Sequence, residues 1–91
     1  MNQFKLEGAI ISKLPAKQVS DTFRVQEFII KVDSEKYPQE VKFQLVNDKI
    51  YLLDFIQVND TVELVFELRG RAYKETHYNT LNVLEVKSKL F

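Results

Sequence analysis

An all-β barrel of five strands, with one short helix between the third and fourth, is the fold that this 91-residue sequence predicts. Three observations carry the prediction. Apolar and polar residues alternate with a period of two over five separate stretches, the pattern of strands buried on one face. Only one stretch, residues 48–55, spaces its apolar residues as a helix does. Glycine and proline are scarce, two of each, and they fall where a strand must bend or end.

The first strand runs from Phe4 to Leu14. Phe4, Leu6, Gly8 and Ile10 alternate with Lys5, Glu7 and Ala9, and the pattern then slips to Ile11 and Leu14. A slip of this kind predicts a bulge or bend, which a glycine inside the strand allows. A long, bent first strand can serve two halves of a small barrel. Pro15 to Asp21 is polar and reads as a loop. The second strand spans Thr22 to Asp33, with Phe28, Ile30 and Val32 on one face and Glu27, Ile29 and Lys31 on the other. Asp33 to Pro38 is a turn, because proline disfavours helix in the residue before it. In the third strand Val41, Phe43 and Leu45 alternate with Lys42 and Gln44.

The helix is expected over Asp48 to Phe55, with Asn47 as its N-cap and Asp48 at its positive end. Ile50, Leu53 and Tyr51 would cover an open end of the barrel. Val58-Asn59-Asp60 then turns into strand four, Asn59 supplying left-handed backbone without glycine. Strand four places Val62, Leu64, Phe66 and Leu68 inward and Thr61, Glu63, Val65 and Glu67 outward. Arg69 to His77 reads as a polar, basic loop. In the fifth strand, from Tyr78 to Leu90, Leu81 and Val83 share one phase and Leu84 and Val86 the other, which predicts a second bulge.

Strand, strand, strand, helix, strand, strand is the order of the OB fold. An SH3-like barrel is the main competitor, but it usually lacks the helix. The length suits one domain over residues 1–91. A hydrophobic content of 45% is ordinary for a folded chain. Cysteine is absent, which removes disulfides and thiolate metal sites and suits a reducing cytoplasm. No apolar run approaches the ~20 residues of a membrane helix, and Met1-Asn2-Gln3-Phe4-Lys5 carries no apolar core of a signal peptide. Thirteen basic and thirteen acidic residues give a formal net charge of zero, so any affinity for nucleic acid must come from local clustering.

Several spaced signatures carry a resemblance. They are Gln26-Glu27-Phe28-Ile29-Ile30, Tyr37-Pro38, Val41-Lys42-Phe43-Gln44-Leu45, Asp48-Lys49 and Leu52-Leu53. Together they resemble a group of short bacterial and phage domains of unknown function related to single-stranded-DNA-binding proteins. Val58-Asn59-Asp60-Thr61-Val62 looks like that group's turn into strand four, with Asn59 where glycine is usual. The similarity spans residues 6–87 and implies an OB barrel and single-strand binding. Fold alone does not fix function. Bacterial members of the wider group typically carry an acidic tail that recruits partners. Here the chain ends Lys87-Ser88-Lys89-Leu90-Phe91, so recruitment by that route is not expected.

Catalysis finds no support. His77 is the single histidine, and a triad would need Ser12, Ser20, Ser34 or Ser88 to converge on it. One histidine with scattered carboxylates, such as the solvated pair Asp33 and Glu35, lacks the spacing of a metal site. No glycine-rich phosphate loop is present, so no cofactor is expected.

Single strands need cations for phosphates and flat rings for bases. The run Arg69-Gly70-Arg71-Ala72-Tyr73-Lys74-Glu75-Thr76-His77-Tyr78 is the most concentrated basic and aromatic stretch in the chain, and OB folds bind oligonucleotides at this position. Phosphates are expected on Arg69, Arg71, Lys74 and Arg24, and bases on Tyr73, Tyr78, His77 and Phe23. Lys42, with Lys31 and Gln44, faces outward on strands two and three and can touch the backbone. The bland reading is a solvated hairpin tip, with Tyr78 partly in the core and Phe23 a lid on the barrel. The expected partner is single-stranded DNA, with RNA and a homo-oligomer as further partners and no membrane. The competing expectation is an assembly module that binds protein through exposed edges, marked by outward Ile29 and Val65. Asp54, Asp60, Glu63 and Glu67 are expected on the side opposite the basic groups.

Overall fold

The computed structural model describes residues 2–32 and 36–89. The first three residues of the expected turn from Asp33 to Pro38, Asp33-Ser34-Glu35, and the terminal Leu90-Phe91 lie outside them. The strands are β1 (Gln3–Lys13), β2 (Lys17–Ser20), β3 (Phe23–Val32), β4 (Gln39–Val46), β5 (Thr61–Tyr73) and β6 (Thr76–Ser88), with one 3-10 helix at Asn47–Leu53. They form one sheet in the order β1-β5-β6-β4-β3-β2, and a further β1–β3 pairing closes it into a ring. The ring is the OB barrel that the strand order predicts.

β1 serves both halves of the ring. Its residues 3–9 pair with β5, and Ala9 to Lys13 pair with β3. The change of partner falls at the bulge, where the register skips Ile11 between Ile10 and Ser12. Gly8 lies just before this crossing. A Cβ there would sit 2.4 Å from Ile30 Cγ2 and 2.7 Å from the Lys31 carbonyl oxygen. The glycine is therefore required by the close approach of two strands. The second expected bulge is present in β6, where the pairing passes from Val65↔Glu85 to Phe66↔Val83 and leaves Leu84 over.

Ile10, Phe28, Ile30, Phe43, Leu45, Val62, Leu64 and Val83 fill the interior and are sealed from solvent. Phe43 stacks near Phe28, with centroids 5.9 Å apart, and meets Phe66 edge-on at 5.0 Å. Edge-on and offset pairs suit the ring quadrupole. Ile50, Leu53 and Ile56 close one end, and Lys13 Nζ donates to the Leu53 carbonyl at 2.8 Å.

Around the barrel itself the structure departs from expectation in four places. The polar segment 15–21 contains a short extra strand, β2, which hydrogen-bonds to β3 outside the five-stranded ring. Polarity hid it, because both of its faces are exposed. The helix is a 3-10 helix, and Asn47 is not its cap. Val46 holds that position without a side-chain bond, while Asn47, at φ 49°, accepts a hydrogen bond from the Arg24 backbone at 2.9 Å. Tyr51 does not cover the barrel end but is exposed, while Ile50 and Leu53 are buried. Leu68 keeps the inward phase of β5 but is 45% exposed, because the strand has left the barrel by then.

Asn59 does adopt left-handed backbone, at φ 82°. Its turn is closed by Asp60, whose carboxylate accepts from the Gln57 backbone at 2.8 Å. A β-branched residue at that φ is strongly disfavoured. Asn59→Val is expected to lower the unfolding free energy by about 1–2 kcal/mol, read as a lower urea midpoint at unchanged slope. No helix among the described residues is long and apolar enough to cross a membrane.

Candidate nucleic-acid interface

The segment from Arg69 to His77 is not a loop. β5 and β6 continue past the barrel as a paired arm that ends in the turn Lys74-Glu75, at φ 49° and 67°. Two central residues with positive φ make a turn whose twist matches that of the strands it joins. The arm is therefore a regular ladder, and its side chains sort by register. Glu67↔Asn82, Arg69↔Thr80, Arg71↔Tyr78 and Tyr73↔Thr76 share the phase of the outer barrel face. Leu68↔Leu81, Gly70↔Asn79 and Ala72↔His77 share the other.

β4 and β6 pair at a single position, Gln44↔Asn82. Where they part, a cleft of about 480 Å³ is lined by Glu27, Lys42 and Gln44 on one side and by Tyr78, Asn79 and Thr80 on the other. A second cleft, of about 400 Å³, runs between Phe23 and Val25 of β3 and Arg69, Arg71 and Tyr78 of the arm. Gln44, Tyr78 and Thr80 line both, so the two clefts form one groove across the outer face of β3, β4 and β6.

The groove combines rings and cations. Tyr78 is 51% exposed and Phe23 37%. Lys42 Nζ lies 3.3 Å from Glu27 Oε2, and Arg69 Nε lies 3.7 Å from Glu67 Oε1. Ion pairs this exposed contribute about 0–1 kcal/mol, so a phosphate can compete for both cations. Glu67 thus stands beside Arg69, and the expected segregation of Asp54, Asp60, Glu63 and Glu67 away from the basic groups fails at this residue.

The structure gathers Phe23, Lys42, Arg69, Arg71 and Tyr78 into the groove and sets the other candidates outside it. Tyr73 and Lys74 form the tip of the arm, with the Lys74 ammonium 5.4 Å from the Tyr73 ring centroid. His77, paired with Ala72, lies on the opposite face of the arm. Arg24 lies on the other phase of β3 and lines a separate depression with Gln18, Asp21 and Asp48. Sequence reasoning did not single out Thr80 or Asn82. Polar residues on a strand give no signal of their own until register shows which cations and rings they adjoin. No group of three or more potential metal ligands occurs among the described residues.

Residues 5–87 match the family described as "Domain of unknown function (DUF3127)". No curated protein sequence matches the chain. Among solved structures, it is similar to the SSB domain of a Synechococcus protein, at 22% identity and a TM-score of 0.74, with 96% of this chain and 94% of that one covered. The mitochondrial single-stranded DNA binding protein Rim1 of S. cerevisiae shows 11% identity and a TM-score of 0.79 over the same shares of the two chains, 96% and 94%. The dimeric N-terminal domain of PriB from Thermoanaerobacter tencongensis shows 16% identity and a TM-score of 0.72, with 96% and 94% covered. At such identities the likeness shows the fold.

Proposed function

The chain belongs to the DUF3127 family, and from that premise we propose that it binds single-stranded DNA without sequence specificity, in the service of replication, recombination or repair. One observation carries the reading. An OB barrel and its β5–β6 arm enclose a groove in which Phe23 and Tyr78 stand among Lys42, Arg69 and Arg71. The structural similarity to single-stranded-DNA-binding proteins supports it.

Phosphates run along Arg69 and Arg71 and reach Lys42, while bases stack on Tyr78 and Phe23. Tyr73, Lys74 and His77 extend the contact along the arm, and Arg24 holds strand that leaves past β3. No step is catalysed. The chain works as a monomer or a homo-oligomer in the cytoplasm, and RNA is the competing ligand.

A titration of fluorescent oligo-dT at low and high salt, repeated with oligo-U RNA, tests the proposal. Binding that weakens steeply with salt is expected, and absence of binding at low salt ends the idea. Stacking on an aromatic side chain contributes about 1–3 kcal/mol per base. Tyr78→Ala is therefore expected to weaken oligo-dT binding by roughly 5- to 150-fold with the melting temperature little changed, since half of that side chain is already in solvent.

A second reading, a protein-assembly module, has its own observation. Phe55 is 80% exposed and lines a largely apolar depression with Leu52, Ile56 and Val86, which Gln57, Asp60 and Ser88 complete. Ile29 and Val65 do not line it, and β1 separates their strands from one another. Under this reading Phe55→Asp abolishes self-association or partner capture and leaves oligonucleotide binding at zero.

A further inference from the structure

The register places five polar side chains in one row across the outer face of the ring: Gln3, Glu67, Asn82, Gln44 and Glu27. The row crosses the groove at Gln44. Its middle is preorganised. Asn82 is 5% exposed, and its Nδ2 donates to Glu67 Oε1 at 3.2 Å. Arg69 approaches the same oxygen at 3.7 Å. Both contacts use Oε1, so Oε2 of a side chain that is 32% exposed is left as an acceptor next to Arg69, which lines the groove. Asn82 Oδ1 is a second acceptor, buried and without a hydrogen-bond partner. A buried acceptor in that state costs free energy until a donor reaches it.

Resting on the single-strand reading, we propose that Glu67, positioned by Asn82, reads base edges in the groove and favours bases that carry an exocyclic amino group over thymine and uracil. The chemistry is that of donor meeting acceptor. Cytosine presents an amino donor at the ring position where uracil and thymine present a carbonyl oxygen, and carboxylates accept from that amino group. A carbonyl edge facing Glu67 sets acceptor against acceptor. The phosphate contacts of Arg69 and Arg71 stay blind to sequence. The result is a preference in composition at one position of the bound strand, laid over nonspecific affinity.

The test compares oligo-dC and oligo-dU of equal length, above neutral pH so that cytosine is uncharged, with the wild-type chain and with Glu67→Gln. The wild type is expected to bind oligo-dC roughly fivefold more tightly or better. A glutamine can donate as well as accept, so Glu67→Gln should tighten oligo-dU binding and bring the ratio close to one. If Glu67 only shields Arg69, the substitution strengthens both ligands alike and the ratio survives, which overturns the proposal. Equal wild-type affinities overturn it without any variant. Absence of binding to both oligonucleotides at low salt instead removes the single-strand reading beneath it.

Discussion

Reversing the two groove charges of the arm, Arg69→Glu with Arg71→Glu, should lower oligo-dT affinity by about 100-fold or more at low salt. Each cation that neutralises a phosphate of a single strand contributes about 0.7 to the slope of log affinity against log salt. Losing two contacts should therefore flatten that slope by about 1.4. Both side chains project from the outer face of an arm whose backbone ladder does not depend on them. Arg69 is 66% exposed at its side chain, and its ion pair with Glu67 is weak. Folding should survive, with far-UV circular dichroism unchanged. A double variant that binds as tightly as the wild type, with the same salt slope, would detach the arm from nucleic acid. It would move the balance to the apolar depression around Phe55.

The other large effect concerns stability. Gly8→Val should cost about 3 kcal/mol or more, because the new side chain has no room. Its Cβ alone would overlap Ile30 Cγ2 and the Lys31 carbonyl, at 2.4 and 2.7 Å. Neither neighbour can retreat cheaply. Ile30 is sealed in the core, and Lys31 is held between Ala9 of β1 and Glu40 of β4. A domain of this size has only about 5–15 kcal/mol to lose. The melting temperature should fall by roughly 12 °C or more, at 4–8 °C per kcal/mol. Gly8→Ala should show the same sign with a smaller shift. A valine variant that melts with the wild type would mean that β1 and β3 do not approach as closely as described.

Much of the ring could be read from period-two alternation. Both bulges announced themselves as phase slips, at Ile11 and at Leu84, because an extra residue must move every later side chain to the other face. Asn59 was legible through its tolerance of left-handed backbone. β2 was not, since a strand exposed on both faces carries no hydrophobic period. The arm was misread for a related reason. Beyond Leu68 all its residues but Thr80 are exposed, on both faces, and its turn is Lys74-Glu75 without the asparagine or glycine that usually marks one. Candidate rings and cations were legible as types, but their grouping was not. Whether Arg24 or Arg69 joins Tyr78 depends on strand phase and on which strands meet across the ring. The β4–β6 meeting is parallel and joins residues far apart in the chain, so no local pattern encodes it.

That meeting behaves as a clasp and not as a weld. Every other junction of the ring is an antiparallel ladder, whereas Gln44 and Asn82 alone fasten this one. Parting the strands there forfeits little backbone bonding, because the β5–β6 and β3–β4 ladders on either side do not depend on it. On the single-strand binding proposed above, a nucleotide bulkier than its neighbour would be accommodated by a slight gape at this seam, with both flanking ladders left paired.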